Sequence, residues 1–274
     1  RDAVHRSDPT DLMRRLVKED LYTFEGKKLF PERKSYTAQY ELSPSEKVLY
    51  ERVTEYVRDE MNRADRNADK EGGGKRRVNV GFALMTLQRR LASSPFAIHR
   101  SIERRRERLE ARLKEERLLL LEGRQAGDRL QLERRLAALE ADDLDELYEE
   151  DTAAEIEEVE NAFTDNATSA QTLAELEHEI QVLKELEVLS KRVVNSGTDA
   201  KWMELDRILD APQMVDENGG RRKLVLFTEF KDTLTDLARK IRNRLGREEA
   251  VVEIHGGVPR DRRRQVVHAF MNDP

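Results

Sequence analysis

Thr228-Glu229-Phe230 and His255-Gly256-Gly257 each follow a short apolar run and precede a helical pattern, the position at which open α/β units keep their functional loops. Gly256 and Gly257 permit close backbone approach, and a helix opening at Pro259 to Asp261 offers unpaired N–H groups to an anion such as phosphate. Arg260 and Arg263 lie on that opening turn, and a guanidinium can clamp phosphate oxygens in bidentate fashion. These residues make a candidate phosphate-backbone site; the plainer reading is a tight turn followed by solvated arginines. His255 has no partner carboxylate or Ser close by in the sequence and reads as a turn residue beside the ligand, not as a catalytic base.

Other chemistries are excluded by residue type. The chain has no Cys and five scattered His, which removes disulfides and thiolate metal sites and agrees with a reducing, cytoplasmic setting. Gly72-Gly73-Gly74 lacks the Lys-Ser/Thr helix opening of a phosphate loop. No apolar run approaches the roughly 20 residues of a membrane span, so no membrane partner is expected. Charge is segregated under the net value of −6: from Glu140 to Glu160 there is no Lys or Arg, whereas from Arg221 onward thirteen basic residues face eight acidic ones. The basic stretch suits a polyanion, and the acidic one reads as a solvated connection or as a screen for the basic face.

The elements that must position the site follow from periodicity. Leu224 to Phe227 and Val251 to Ile254 are continuous apolar runs flanked by charge, the pattern of buried parallel strands, and Leu234, Leu237, Ile241 and Leu245 mark a helix between them. That order predicts a right-handed βαβ unit followed by a helix over 260–271. Upstream, Tyr36, Ala38, Tyr40 and Leu42 alternate with polar residues as in a half-buried strand, and Ser43-Pro44 caps a helix carrying Val48, Leu49, Val53, Tyr56 and Val57. The polar stretch Asp65–Arg77 reads as a flexible loop, and Ser93-Ser94-Pro95 as the cap of an Arg-rich helix with Ile98, Ile102, Leu109 and Leu113 on its apolar face. Leu132 to Leu147 and Leu173 to Val193 continue the helical spacing, the latter closing near Asn195-Ser196-Gly197. Such stripes need partners, so an antiparallel hairpin or small coiled-coil-like bundle is expected. With 39% charged residues and 5% aromatics, much of the chain should be helical and solvated.

Several of these stretches resemble the Swi/Snf-related branch of superfamily-two helicase-like ATPases. Lys223-Leu224-Val225-Leu226-Phe227-Thr228-Glu229-Phe230 resembles helicase motif IV, and Ile254-His255-Gly256-Gly257 with Arg263 and Phe270 resembles the segment after it. Met13 to Leu21 is similar to the Leu-Arg-Arg stretch ending the first RecA-like domain, and Leu42 to Tyr50 to the Leu-Ser-x-x-Gln-x-x-x-Tyr stretch beyond it, with Glu46 in the Gln position. Leu87 to Pro95 and Asp199-Ala200-Lys201-Trp202 resemble the approach to the second domain. Arg263 falls on the Arg of a Gln-x-x-Arg element whose Gln is here Arg260.

The resemblance implies an α/β fold: a truncated RecA-like parallel sheet of the helicase C-terminal type carrying a long, mostly α-helical insertion. It divides the chain into the tail of the first RecA-like domain (1–34), a linker strand and helices (35–97), the helical insertion (98–196) and the start of the second RecA-like domain (197–274). The start at Arg1 and the stop at Pro274 read as the cuts of an interior fragment. By the same resemblance the parent protein is an ATP-hydrolysing helicase or translocase using ATP and Mg. This stretch has no Walker A or Walker B motif and no arginine finger, so it binds neither by its own motifs and is expected to be inactive alone. Its part is to contact DNA, or alternatively RNA, through Thr228, Glu229, Phe230, His255, Gly256, Gly257, Arg260 and Arg263, and to couple the domains. The competing reading is an interaction module whose helical hairpin docks protein partners.

Overall fold

In the computed structural model, the residues described are 18–30, 35–71, 74–121, 161–162 and 164–272. They contain the α-helices α1 Pro44–Glu71, α2 Gly74–Ser93, α3 Pro95–Leu121, α4 Leu173–Asn195, α5 Ala200–Leu209, α6 Lys231–Leu245 and α7 Arg260–Asn272, and further helical residues at 161–162 and 164–166. The chain divides into two units, Arg1–Gln39 and Tyr40–Pro274. In the first, a 3₁₀ turn at Lys18–Asp20 precedes a small bridged turn, Tyr22 pairing with Lys28 around Gly26.

The core of the second unit is a bundle of α1 to α4. Local signals start its helices. Ser43 Oγ accepts the N–H of Glu46 while the Glu46 carboxylate accepts that of Ser43, a reciprocal cap on α1. Ser94 Oγ accepts the Ala97 N–H at the start of α3, and Thr172 with Glu175 builds the same reciprocal cap on α4. Leu49, Val53, Tyr56, Val57 and Ala64 line the inner face of α1, and Leu176, Ile180, Leu183, Leu186 and Val193 that of α4, at the spacings that keep side chains on one helix face. They meet Val80, Leu84, Leu87 and Leu91 of α2 and Ile98, Ile102 and Leu109 of α3 in one apolar core.

Side-chain pairs set the directions. His99 meets Ser190, Lys184 meets Glu110 and Arg117 meets Glu177, so α3 and α4 run antiparallel. Tyr50 at the start of α1 donates to Leu91 O at the end of α2, making those two an antiparallel hairpin.

A polar cluster sits inside this core. Arg105 is fully buried and donates to the Tyr56 hydroxyl (2.7 Å), to Thr164 O (2.6 Å) and to Glu179 Oε1 (2.8 Å). The Tyr56 hydroxyl donates to the same carboxylate at 2.9 Å, and Thr168 Oγ1 donates to its other oxygen at 2.5 Å. Burial drives the Tyr56 hydroxyl well above its ordinary pKa. A buried ion pair survives only when its remaining donors and acceptors are met in this way.

The fold class read from the sequence is overturned. Among the described residues there is no strand and no sheet, and therefore no truncated RecA-like parallel sheet; the fold is helical. Residues 223–227 and 251–254 carry no regular secondary structure and no ladder joins them; the first run is exposed throughout, Phe227 being 94% exposed and Val225 57%, and in the second Val252 and Ile254 are exposed while Val251 and Glu253 are half-buried. An apolar run becomes a strand only when a neighbouring backbone takes up its N–H and C=O groups, and none does so here. The alternating stretch 36–42 likewise has no regular secondary structure and no ladder, with Tyr36 exposed. The stretch read as a loop over Asp65–Arg77 is helical wherever it is described: α1 continues through Glu71 and α2 starts at Gly74, because strong helix formers such as Arg, Lys, Glu and Ala outweigh the polar composition. The helical patterns expected before Leu21 and over Leu132–Leu147, and the acidic stretch Glu140–Glu160, lie outside the described residues, apart from the 3₁₀ turn at Lys18–Asp20.

Candidate nucleic-acid interface

The predicted site residues separate into two settings. Thr228-Glu229-Phe230 leads into α6, and this end of α6 is seated on the junction between α2 and α3. Phe230 is 5% exposed, with the guanidinium groups of Arg89 and Arg90 at 5.8 and 5.3 Å from its ring centre, close enough for cation–π attraction. Glu229 pairs with Arg89, and Asp232 with Arg104 at 3.0 Å. The hydroxyl of Thr233 meets those of Ser93 and Ser94 at 2.7 and 3.0 Å. Sequence reasoning missed this seat. Its signal is the spacing of Glu229, Phe230, Asp232 and Thr233, which places two carboxylates, a ring and a hydroxyl at one helix start.

The rest of α6 is fastened to α5. Asp199 caps α5 by accepting the Trp202 N–H and also receives Lys240 at 2.7 Å, while Arg244 reaches Asp206 and Asp210. Glu46 completes the frame by accepting the first N–H of α5, from Ala200, at 3.1 Å. Gly246, at φ 66°, ends α6 in the left-handed conformation that glycine adopts without strain.

His255, Gly256, Gly257, Arg260 and Arg263 form the second setting. A turn closes from Val258 N–H to His255 O at 3.1 Å, and His255 Nδ1 accepts the Gly257 N–H at 3.2 Å. Arg263 reaches back over this turn, donating to Val258 O (2.7 Å), Gly256 O (2.7 Å) and His255 O (3.3 Å). Its Nε and Nη2 are thus engaged with the loop, and its Nη1 has no partner among the described residues. Arg260 is exposed and has no protein partner among the described residues, and Arg264 lies 3.8 Å from the exposed Asp261. Arg260, Arg263, Arg264, Val267, His268 and Met271 line a shallow depression of about 520 Å³ along α7.

No protein-family model, curated protein or solved structure matches the chain. The site therefore stands on its own geometry. That geometry adds Arg264 and His268 to the residues predicted from sequence, and both follow from Arg260 at four-residue intervals along one helix face. Among the described residues no group of His, Asp and Glu is placed to hold a metal ion, and no helix is long and apolar enough to cross a membrane.

Proposed function

We propose that this chain is the nucleic-acid-contacting part of a Swi/Snf-related, DNA-dependent ATPase, with the 255–257 turn and α7 meeting the sugar-phosphate backbone. The observation that carries this reading is that three arginines without a close buried counter-ion, Arg260, Arg263 and Arg264, line one depression on α7, unlike the arginines that fasten the helices together. Arg105, Arg106, Arg117 and Arg244 each meet a carboxylate within hydrogen-bonding distance. Arg260 meets none, Arg264 only the solvent-exposed Asp261, and Arg263 is held by carbonyls, which leave its charge uncompensated. Uncompensated guanidinium groups on one helix face are suited to phosphate oxygens, which fix position without reading sequence.

The ordered similarities from Met13 to Phe270 supply the ATPase part of the reading. A parallel sheet is no part of it. ATP and Mg would belong to the complete enzyme, because the described residues include neither a phosphate-cradling Gly-Lys-Ser/Thr helix start nor a carboxylate cluster for Mg.

The test is binding of a fluorescent mixed-sequence DNA duplex across a salt series, with the matching RNA duplex as the second ligand. Arg260→Ala with Arg264→Ala should reduce the slope of log K against log salt by roughly 1.8, about 0.9 for each lost phosphate contact. Absence of binding to either duplex at low salt, or a slope equal to the parent's, sinks the proposal.

A further inference from the structure

The polar cluster inside the bundle has no role in backbone contact, and its geometry has a consequence of its own. Residues 164–170 lie against three helices and are held there by side chains from all of them. Arg105 of α3 donates to Thr164 O, and Asn67 of α1 to Ser169 O at 2.9 Å. The adjacent hydroxyls of Thr168 and Ser169 each find a carboxylate, Glu179 of α4 and Glu60 of α1, both at 2.5 Å. Two buried carboxylates thus bracket one dipeptide step.

The groups facing Glu60 can be named element by element. From α1 come Arg63, whose Nη1 is 2.9 Å from Glu60 Oε1, and Tyr56; from α3 comes Arg105; from α4 comes Glu179; and from the segment comes Ser169. Arg105 is the one fully buried cation of this group, and it is already bonded to Glu179. Arg63, 15% exposed, pairs with Glu60. Each carboxylate thus has one arginine, and what disfavours a second negative charge at Glu60 is its burial, with Glu179 close by.

We propose that Glu60 is a proton-operated latch: when neutral it holds residues 164–170 against the bundle, and its ionisation loosens that segment and the start of α4. The hydrogen bond to Ser169 survives protonation, since a carboxyl can donate to a hydroxyl as well as accept from it. Burial first, and then repulsion from Glu179, raise the Glu60 pKa from 4.5 to about 7. The sign follows from linkage. Once the segment opens, Glu60 returns to its ordinary carboxylate range, so the open form releases its proton at lower pH than the closed form. Closure is strongest below the open-form value, weakens as pH rises, and stops weakening above the closed-form value.

Amide hydrogen exchange on the full chain tests this, reading residues 164–175 with α2 as internal reference and correcting for intrinsic exchange. Protection of 164–175 should fall by about tenfold per pH unit between about pH 5 and 7 and level off above that. Glu60→Gln should remove the dependence and keep the segment protected throughout. Ser169→Ala deletes a hydrogen bond that lowers the Glu60 pKa, and should move the levelling point to higher pH. Equal protection in the parent at about pH 5 and pH 8, or an unchanged dependence in Glu60→Gln, overturns the latch. Should Glu60→Gln not fold, an unchanged levelling point in Ser169→Ala overturns it equally.

Discussion

The α1–α4 bundle and the stretch from Lys223 to Asn272 use the same residue types to opposite ends. In the bundle, Leu183 is 0% exposed and even the guanidinium of Arg105 is sealed among partners. In the later stretch the apolar run Leu224 to Phe227 stands in solvent, and the arginines of α7 are at the surface. What differs is whether a second apolar face is present: each bundle helix has a facing helix, whereas the apolar run 224–227 has no backbone ladder and is exposed along its length. Burial is thus a property of pairs of elements, and a strongly apolar segment by itself predicts it poorly.

Substitutions can break or sharpen this contrast. The largest effect is expected for Arg105→Ala, which leaves the Glu179 carboxylate buried without its cation and strips Thr164 O and the Tyr56 hydroxyl of a donor. A loss of about 3–5 kcal/mol in urea unfolding is expected. A loss below about 1 kcal/mol would mean that the cluster is hydrated, and the bundle interior no different from a surface.

Next comes a matched pair of truncations. Leu183→Ala should cost about 2–5 kcal/mol, whereas Phe227→Ala should stay within about 0.5 kcal/mol. If both are costly by thermal unfolding, the apolar run 224–227 is buried against something and the contrast fails.

Phe230 lies between the extremes, being part of the second region yet seated on the first. Phe230→Leu keeps apolar bulk but removes the ring from Arg89 and Arg90, and should cost about 1 kcal/mol. Amide exchange should quicken in α6 and not in α1 or α4; quickening in all three would make α6 part of the same cooperative unit. The smallest stability effect belongs to Arg260→Ala with Arg264→Ala, within about 0.5 kcal/mol by the same unfolding assay. A larger loss would show that these side chains are spent on the fold and are not free for a ligand.

Much of the helical part was legible in the sequence. The stripes of α1, α3 and α4 and the caps at Ser43, Ser94 and the end of α4 appear where the pattern places them, because caps and stripes involve residues within a few positions of one another. The βαβ unit was misread for the converse reason. Leu224-Val225-Leu226-Phe227 is compatible with a strand, but a strand needs hydrogen bonds from another segment, and no local signal reports whether one is there. The candidate site shows the same limit. Arg263 was legible as a helix-start guanidinium, but not its grip on the carbonyls of His255, Gly256 and Val258. Glu229 and Phe230 were legible as loop residues, but not their seat on Arg89 and Arg90.

By itself, then, the sequence determined the apolar stripes of α1, α3 and α4, the caps at Ser43 and Ser94 and the close of α4, and that basic charge gathers toward the C-terminal end. The tertiary structure alone decided which charges are spent. Arg105 and Arg260 are the same residue type on similar Arg-rich helices, and only the approach of α1, α4 and residues 164–168 converts the first into a buried structural ion. The physical reason is range: helix formation and capping act over three or four residues, whereas desolvation and ion pairing are set by whichever distant segment arrives.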